Sequence, residues 1–259
     1  MFSGIGGFEL GIGDRGECIG YSEIDKYAIK TYEEHFNHVN YGDATKINAG
    51  ELPDFDLLVG GFPCQAFSVA GKRLGFNDTR GTLFFDIARI LAEKRPRHLV
   101  LENVKGLLSH DSGKTFQTIV GVLTDLGYFV EWQVLNSKDF GVPQNRERVF
   151  IVGHLGGEPR RKVFPIRQSP EISSKGDGQE SSENQFTTAI TSDYRKGVHS
   201  GGETYITEPR IRRLTPLECE RLQGFPDNWT VGSDTQRYKQ CGNAVTVNVV
   251  EAVMRGLYE

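Results

Sequence analysis

The sequence predicts an α/β fold with a doubly wound, mostly parallel sheet and a second, smaller domain of irregular structure. Three observations support this prediction. Short apolar, β-rich segments alternate with amphipathic segments as far as residue 155, the order typical of α/β folds. The segment 55–59 is apolar on both faces apart from Asp56, as a covered parallel strand should be. Glycine-rich or polar residues follow the strands, where open α/β sheets bind ligands.

Six strands are expected in the first part of the chain, at 17–22, 38–41, 55–59, 97–101, 129–135 and 149–155. Helices are expected at 25–36, 82–94 and 112–126, because apolar side chains recur there every three to four residues. Gly127 follows the last of these segments and suits a helix C-terminus. A very short strand is expected before the glycine-rich turn at residues 3–7.

The alternating pattern stops near Gly156, and the polar segment 168–185 is typical of a flexible linker. Two β-like pieces follow, at 187–190 and 204–206. A short helix is expected at 215–223, where Thr215 can cap the N-terminus and Pro216 occupies the first turn. The final segment, 245–257, is again amphipathic. These patterns predict a main domain of residues 1–154 plus 241–259 and a small domain of residues 155–240.

Composition excludes several classes of protein. No apolar run approaches the length of a membrane span. The four cysteines include no CxxC pair, so a disulfide scaffold is not expected, and a reducing cytoplasm is the predicted location. The six histidines form no cluster with ligand spacing, so no metal site is predicted.

Charge is distributed unevenly along the chain, whose net charge is −4. Residues 1–60 hold 11 acidic and 4 basic side chains, a balance of −7, which leaves +3 for the remainder. A polyanion could therefore bind the later part of the chain while the first part stays away from it.

The ends of the predicted strands carry a series of chemically useful residues. The glycine-rich turn 3–7 is followed by Glu23, Asp43, the segment 63–65 (PCQ) and Glu102 with Asn103. A glycine turn and a downstream acid suit a cofactor that contains a nucleoside, since glycines permit close backbone approach and a carboxylate accepts from ribose hydroxyls. NAD and S-adenosyl-L-methionine both meet this description, but Cys64 as a nucleophile favours group transfer over hydride transfer.

Six motifs, in order along the chain, resemble those of the cytosine-5 DNA methyltransferase family of the bacterial and phage restriction-modification type. They are residues 2–8 (FSGIGGF), 61–68 (GFPCQAFS), 102–104 (ENV), 144–148 (QNRER), 213–226 (RLTPLECERLQGFP) and 242–245 (GNAV). The resemblance implies a Rossmann-like, S-adenosylmethionine-dependent methyltransferase fold with a small target-recognition domain. It also implies transfer of a methyl group to C5 of a cytosine in duplex DNA.

The resemblance also implies roles for individual residues. Cys64 would attack C6 of the base, which makes C5 nucleophilic. Glu102 would act near N3, and Arg146 and Arg148 would hold the base, Glu102 and nearby phosphate. Because the target carbon is inaccessible inside a duplex, the base would be flipped out of the stack.

The cofactor site implied by the resemblance begins with the glycine-rich turn. Its residues are Phe2, Ser3, Gly4, Ile5 and Gly6 for the methionine and adenosine region, Glu23 for ribose, Ile24, Asp43 and Ala44 for adenine, Pro63 and Leu83 for the pocket wall, and Asn243 and Val245 near the C-terminus.

DNA contacts are expected from two regions. The loop 66–80 would close over DNA, with Gln65 and Ser68 near the vacated stack and Lys72, Arg73 and Arg80 at phosphates. The variable stretch 153–212 is short for the family and would read bases through the major groove. Its candidate readers are Arg195, Lys196, His199 and Arg210.

Two alternatives and one departure accompany this interpretation. A tRNA cytosine-5 methyltransferase shares the scaffold, although its Cys-Phe-Thr signature is missing here, and a non-catalytic DNA-binding relative remains the third reading. The chain begins inside the first motif, where relatives carry an apolar strand, so a shortened central strand is expected.

The expected partner is double-stranded DNA bound by a monomer with no membrane association, and a cognate restriction endonuclease that acts on the same site is a candidate partner.

Overall fold

The computed structural model describes residues 1–63, 83–166, 187–188 and 213–259. The predicted linker at 168–185 and the β-like piece at 204–206 lie outside these residues. The strands are β1 (Leu57–Gly61), β2 (His98–Val104), β3 (Tyr128–Asn136), β4 (Gln144–Asn145), β5 (Glu147–Leu155) and β6 (Thr187–Thr188).

The main sheet has four strands in the order β1-β2-β5-β3. β1 and β2 are parallel, whereas β5 runs antiparallel to both β2 and β3. The α/β class is confirmed, and the described sheet is mixed where the sequence predicts mostly parallel pairing. The physical reason is that β3 reaches β5 through a short segment without a crossover helix, and a parallel pair needs a longer crossover. A second, two-stranded parallel sheet joins β4 and β6.

The first two predicted strands are much reduced. Of the segments 17–22 and 38–41, only the parallel bridge between Tyr21 and Asn40 forms. The backbone of Ser22 accepts from Ser3 N at 3.2 Å, and Met1 N donates to Val59 O at 2.6 Å. The segment 1–3 thus connects Ser22 with β1 through one backbone hydrogen bond to each.

Seven helices are described: α1 (Gly7–Ile12), α2 (Lys26–His35), α3 (Leu83–Lys94), α4 (Lys114–Asp125), α5 (Pro216–Leu222), α6 (Asp234–Asn243) and α7 (Val247–Tyr258). Short 3-10 segments occupy Gly13–Arg15, Ala44–Lys46, Ala49–Glu51, Lys105–Leu108, His110–Gly113 and Ser137–Phe140.

Five of these helices match the predicted ones within about two residues. α5 begins with a capping box between Thr215 and Glu218 and has Pro216 in its first turn, as its sequence predicts. α4 starts later than predicted because Asp111 and Ser112 have φ angles of 48° and 54°, which no α-helix contains.

The helices α1 and α6 were not predicted. α1 is rich in glycine, which has a low helix propensity, but its glycines allow close packing against the C-terminal region. A Cβ at Gly11 would lie 2.6 Å from Val250 Cβ, and one at Gly7 would lie 2.8 Å from Val245 Cγ1. Tertiary packing therefore explains why this segment is helical.

Alternate side chains of the sheet enter two cores, as the period of two in a strand requires. Leu99 and Leu101 of β2 pack with the core that holds α3 and α4. Val100 of the same strand packs with the core that holds α7 and Phe8 of α1. The result is a three-layer arrangement of helices, sheet and helices, in which α7 packs against α1.

The described residues after 213 pack closely against the start of the chain. Trp229 stacks on His35 and donates from Nε1 to Ile5 O at 2.8 Å. Thr31 of α2 donates to Gln240 of α6 at 2.9 Å. These contacts brace the glycine-rich turn from the side of α6. In the described ranges, no helix is long and apolar enough to cross a membrane.

Gly153 tests the packing between β5 and β2. A Cβ at this position would lie 2.7 Å from Leu99 Cγ, so we expect Gly153→Ala to lower the free energy of unfolding by about 1–3 kcal/mol through overpacking. The matched control is Gly121→Ala in α4, where nothing lies within 4 Å. The control should raise stability by roughly 0.5–1 kcal/mol because alanine favours helices. Urea unfolding measures both, and equal effects of the two changes would contradict the packing.

Candidate active site

The site is built where β1 and β2 end side by side. Gly61 is paired with Glu102 across the parallel ladder. A Cβ at Gly61 would lie 3.4 Å from Glu102 Oε2 and 3.9 Å from the ring of Phe8. The carboxylate and the helix that follows the glycine-rich turn therefore meet at Gly61, three residues before Cys64.

Several predicted site residues lie outside the described residues. They are Cys64, Gln65, Ser68, Lys72, Arg73, Arg80, Arg195, Lys196, His199 and Arg210. Their predicted roles stay predictions.

The carboxylate of Glu102 pairs with the guanidinium of Arg148. Arg148 Nε lies 3.0 Å from Glu102 Oε1, and the two side chains are only 18% and 12% exposed. Burial raises the pKa of Glu102 above its ordinary value, although the positive charges of Arg148 and Arg146 oppose this rise. Such a carboxyl is suited to hold a proton and donate it.

Arg146 is buried and makes a different set of contacts. Its Nη2 donates to Gly242 O at 3.1 Å and to Ala244 O at 2.8 Å. Burial, followed by the like charge of Arg148, lowers the pKa of Arg146 to about 9. Arg146 thus connects the 144–148 motif to the 242–245 motif. The ion pair with Glu102 is made by Arg148.

Asn103, which the sequence places with Glu102 at a strand end but gives no specific role, is a positioning residue. It is 2% exposed, and its Nδ2 donates to Phe62 O at 2.8 Å while its Oδ1 accepts from Val104 N at 2.9 Å. It therefore fixes the chain two residues before Cys64. The sequence feature that could have indicated this role is an amide side chain directly after Glu102, at the end of the apolar run 99–101.

The carboxylate of Glu23 accepts a hydrogen bond from the backbone of the glycine-rich turn. Its Oε2 accepts from Gly4 N at 2.9 Å, and its Oε1 accepts from Ile24 N at 2.8 Å and Asp25 N at 2.9 Å. Gly4 and Gly6 have φ angles of +55° and +87°, which glycine adopts readily. A Cβ at Gly6 would also lie 2.4 Å from the ring of Phe36. The turn therefore requires its glycines and presents a carboxylate that is held by three backbone donors.

Asn40 brings the Glu23 region beside Gly42, because its Oδ1 accepts from both Glu23 N and Gly42 N. Next along the chain, Asp43 accepts from Thr45 N and Thr45 Oγ1, and these hydrogen bonds lower the pKa of Asp43.

Ile24 is 71% exposed, so it offers an apolar surface beside the carboxylate of Glu23. The remaining predicted cofactor residues divide by exposure. The buried ones are Ser3, Ile5, Gly6, Ala44 and Val245; Phe2, Gly4 and Leu83 are half-buried; Pro63 and Asn243 are exposed.

The described residues contain no group of three or more His, Cys, Asp or Glu side chains that could hold a metal ion. The described site offers a carboxyl whose pKa is raised, two guanidinium groups and the backbone of the glycine-rich turn.

Comparison with known proteins gives strong matches. The family model described as C-5 cytosine-specific DNA methylase matches residues 1–196 and 165–259. The type II methyltransferase M1.ScrFI of Lactococcus lactis subsp. cremoris is 41% identical over all of this chain and 77% of its own length. M.NlaX of Neisseria lactamica is 42% identical over 98% of this chain and 93% of its own. M.HhaI of Haemophilus parahaemolyticus is 35% identical over 98% and 91%.

Solved structures match the fold over nearly the whole chain. A mutant of Spodoptera frugiperda DNMT2 matches with a TM-score of 0.77 at 19% identity, covering all of this chain and 98% of its own. The Dnmt2 methyltransferase of S. pombe matches with a TM-score of 0.74 at 18% identity, covering 100% and 98%. At these identities the likeness concerns the fold.

The ion pair at Glu102 can be tested by stability alone. Arg148→Met leaves the buried carboxylate without its cation and should lower the free energy of unfolding by roughly 2–4 kcal/mol at pH 8. The folded-state pKa of Glu102 is raised from 4.5, so the penalty for the ionised form grows as the pH rises through that range and is absent below it. The loss should therefore shrink near pH 4.5.

The control is the double variant Glu102→Gln/Arg148→Met, which removes both charges and should recover part of the loss with little pH dependence. Urea unfolding at the two pH values gives the measurement. A loss that is equal at both pH values would argue against the pair.

Proposed function

This chain belongs to the C-5 cytosine-specific DNA methylase family, and on that premise we propose that it transfers a methyl group from S-adenosyl-L-methionine to C5 of a flipped-out cytosine in duplex DNA. The observation that carries the proposal is the buried pair of Glu102 and Arg148, which lies beside the end of β1 that leads to Cys64. The type II methyltransferases to which the chain is 35–42% identical support the same reaction class.

Cys64 is the proposed nucleophile. Its thiolate attacks C6 of cytosine and forms an S–C6 bond, while the electrons of the C5–C6 double bond move toward C5 and the ring. C5 thereby becomes nucleophilic. A free thiol is mostly protonated at neutral pH, so deprotonation of Cys64 accompanies or precedes the attack. Cys64 also needs the base outside the helix stack, since the thiolate must approach C6 from the face of the ring, and in a duplex the neighbouring stacked bases cover both faces.

S-adenosyl-L-methionine, when bound, supplies a methyl group on a positively charged sulfonium. This methyl group would pass to the activated C5, and the electron pair of the S–CH₃ bond would stay on the cofactor's sulfur. C5 then loses its proton to a base as the S–C6 bond breaks, which restores the double bond and returns the Cys64 thiolate.

Glu102 is the proposed acid that balances charge on the base. The attack by Cys64 develops negative charge on the ring, and a protonated carboxyl near N3 stabilises it by donating a hydrogen bond or a proton. The raised pKa of Glu102 supports this role because it favours the protonated form. Arg148 orients the carboxyl, and Arg146 secures the 242–244 segment that carries Asn243.

The residues of the glycine-rich turn fit the proposed cofactor. Three backbone donors use only part of the acceptor capacity of the Glu23 carboxylate, which leaves acceptor sites for ribose hydroxyls. The exposed side chain of Ile24 suits one face of adenine. Asp43, beside Gly42 in this region, offers a carboxylate to polar edges of the base.

DNA recognition is proposed for two segments. Residues 66–80 would close over the flipped base, and the small domain 155–240 would read the neighbouring bases. The protein would act as a monomer on double-stranded DNA, and a restriction endonuclease for the same site is the candidate partner.

We expect Cys64→Ser to abolish methyl transfer, with at least a hundredfold loss, because a hydroxyl is a far weaker nucleophile than a thiolate. Tritiated S-adenosyl-L-methionine is incubated with the protein and either duplex DNA or tRNA, and label in the nucleic acid is counted. The control Cys219→Ala removes a buried thiol of α5 and should keep most of the activity. Equal label from Cys64→Ser would refute the nucleophile, and label on tRNA alone would refute the DNA substrate.

Glu102→Gln tests the acid. The amide cannot deliver a proton, so kcat should fall by about 10²–10⁴, while the KM for S-adenosyl-L-methionine should change little. The matched variant Glu51→Gln lies on an exposed 3-10 segment and should leave both constants unchanged. The high-pH limb of the rate profile should flatten in Glu102→Gln. A variant with wild-type kcat would remove Glu102 from the mechanism.

A further inference from the structure

Trp229 lies against the glycine-rich turn although it is distant from the turn in the chain. Its indole Nε1 donates to Ile5 O at 2.8 Å. The side chains of Trp229 and Ile5 belong to one buried cluster, and these residues are only 7% and 1% exposed. Ile5 is therefore fixed at its carbonyl by Trp229 and at its side chain by the cluster that contains Trp229.

The backbone around Ile5 has little rigidity of its own. Gly4 and Gly6, on either side of Ile5, have φ angles of +55° and +87°, and glycine has more backbone freedom to lose on folding than any other residue. Within the turn, Gly6 N donates to Ser3 O at 3.0 Å. This hydrogen bond does not involve the carbonyl of Ile5, which accepts from Trp229 instead.

The end of α2 connects Trp229 to the turn a second time. His35 stacks on Trp229 with ring centroids 3.6 Å apart and planes inclined by 10°, and His35 Nε2 donates to Trp229 O at 2.7 Å. The next residue, Phe36, lies edge-on to Trp229 with ring centroids 5.8 Å apart. Phe36 also covers Gly6, where a Cβ would lie 2.4 Å from its ring. A shift of Trp229 would therefore reach Gly6 as well as Ile5.

The backbone on both sides of Trp229 is held by a single carboxylate. Asn228 N donates to Glu220 Oε2 at 2.8 Å, and Thr230 N donates to Glu220 Oε1 at 2.9 Å. Glu220 is fully buried and pairs with Arg237 at 2.9 Å, so its charge is compensated. This arrangement leaves Trp229 little freedom to move away from the turn.

We propose that Trp229 is a positioning residue for the S-adenosyl-L-methionine site, because it holds the glycine-rich turn in its binding shape before the cofactor arrives. The inference rests on the proposed function, in which this turn binds the cofactor. A turn that is already ordered loses less conformational freedom on binding, which raises the affinity. The polar contacts of Trp229 go to the turn and to α2, so Trp229 affects binding of the cofactor and not the chemical step.

Trp229→Phe removes the indole N–H and keeps an aromatic ring. The buried carbonyl of Ile5 then lacks its donor, so exchange of the Gly4 and Gly6 amide protons should become about tenfold faster. The Kd for S-adenosyl-L-methionine should rise about tenfold, while kcat at saturating cofactor should stay within about twofold of wild type. NMR follows the exchange without cofactor, and calorimetry without DNA gives the Kd.

The matched control is Trp132→Phe. Trp132 is the other of the two tryptophans of the chain, and it is 47% exposed on β3, so this variant should leave the exchange and the Kd unchanged. His35→Ala provides a second variant that spares the buried core, because His35 is exposed. It removes the stacked ring and should change both quantities in the same direction as Trp229→Phe, by a smaller factor.

Unchanged exchange at Gly4 and Gly6 in Trp229→Phe would overturn the proposal, as would equal rises in the Kd for both tryptophan variants. A wild-type protein that binds no S-adenosyl-L-methionine would instead refute the proposed function. The exchange measurement needs no cofactor, so it decides whether Trp229 holds the turn independently of that outcome.

Discussion

The ion pair between Glu102 and Arg148 is the interaction on which the arrangement of the site depends. It requires the carboxyl end of β2 to lie beside the amino end of β5, and the antiparallel register that pairs Val104 with Arg148 provides this. A carboxylate at this depth is costly without a compensating cation. The strand that supplies the cation therefore also decides where the acid can lie.

The same turn that leads into β5 connects the site to the far end of the chain. Arg146 donates to the carbonyls of Gly242 and Ala244, and Gln144 donates to Leu222 O at 2.8 Å. Trp229 reaches Ile5 in the glycine-rich turn. Motifs that are distant in sequence are thus held by buried side chains that donate to backbone carbonyls.

The two ends of β1 differ in how well they are supported. At Gly61, the strand faces Glu102, and Asn103 secures the adjacent backbone at Phe62. At Leu57 and Leu58, the strand borders a large cavity and is paired in the described residues on its β2 side. The short segment 1–3, which precedes the glycine-rich turn, makes one backbone hydrogen bond to Val59 and one to Ser22.

Local sequence alone determined most of the helices and the four strands of the main sheet, because amphipathic periodicity and capping residues act within a few residues of each other. Local sequence also predicted Glu102, Glu23 and the glycine-rich turn as parts of the functional site, since each follows a predicted strand. Only the tertiary structure decided three features: the direction of the strands, the helicity of α1, and the different contacts of Arg146 and Arg148. These features depend on contacts between residues far apart in the chain, such as Gly11 with Val250 and Arg148 with Glu102, and no local pattern encodes which distant partner will fill a given position.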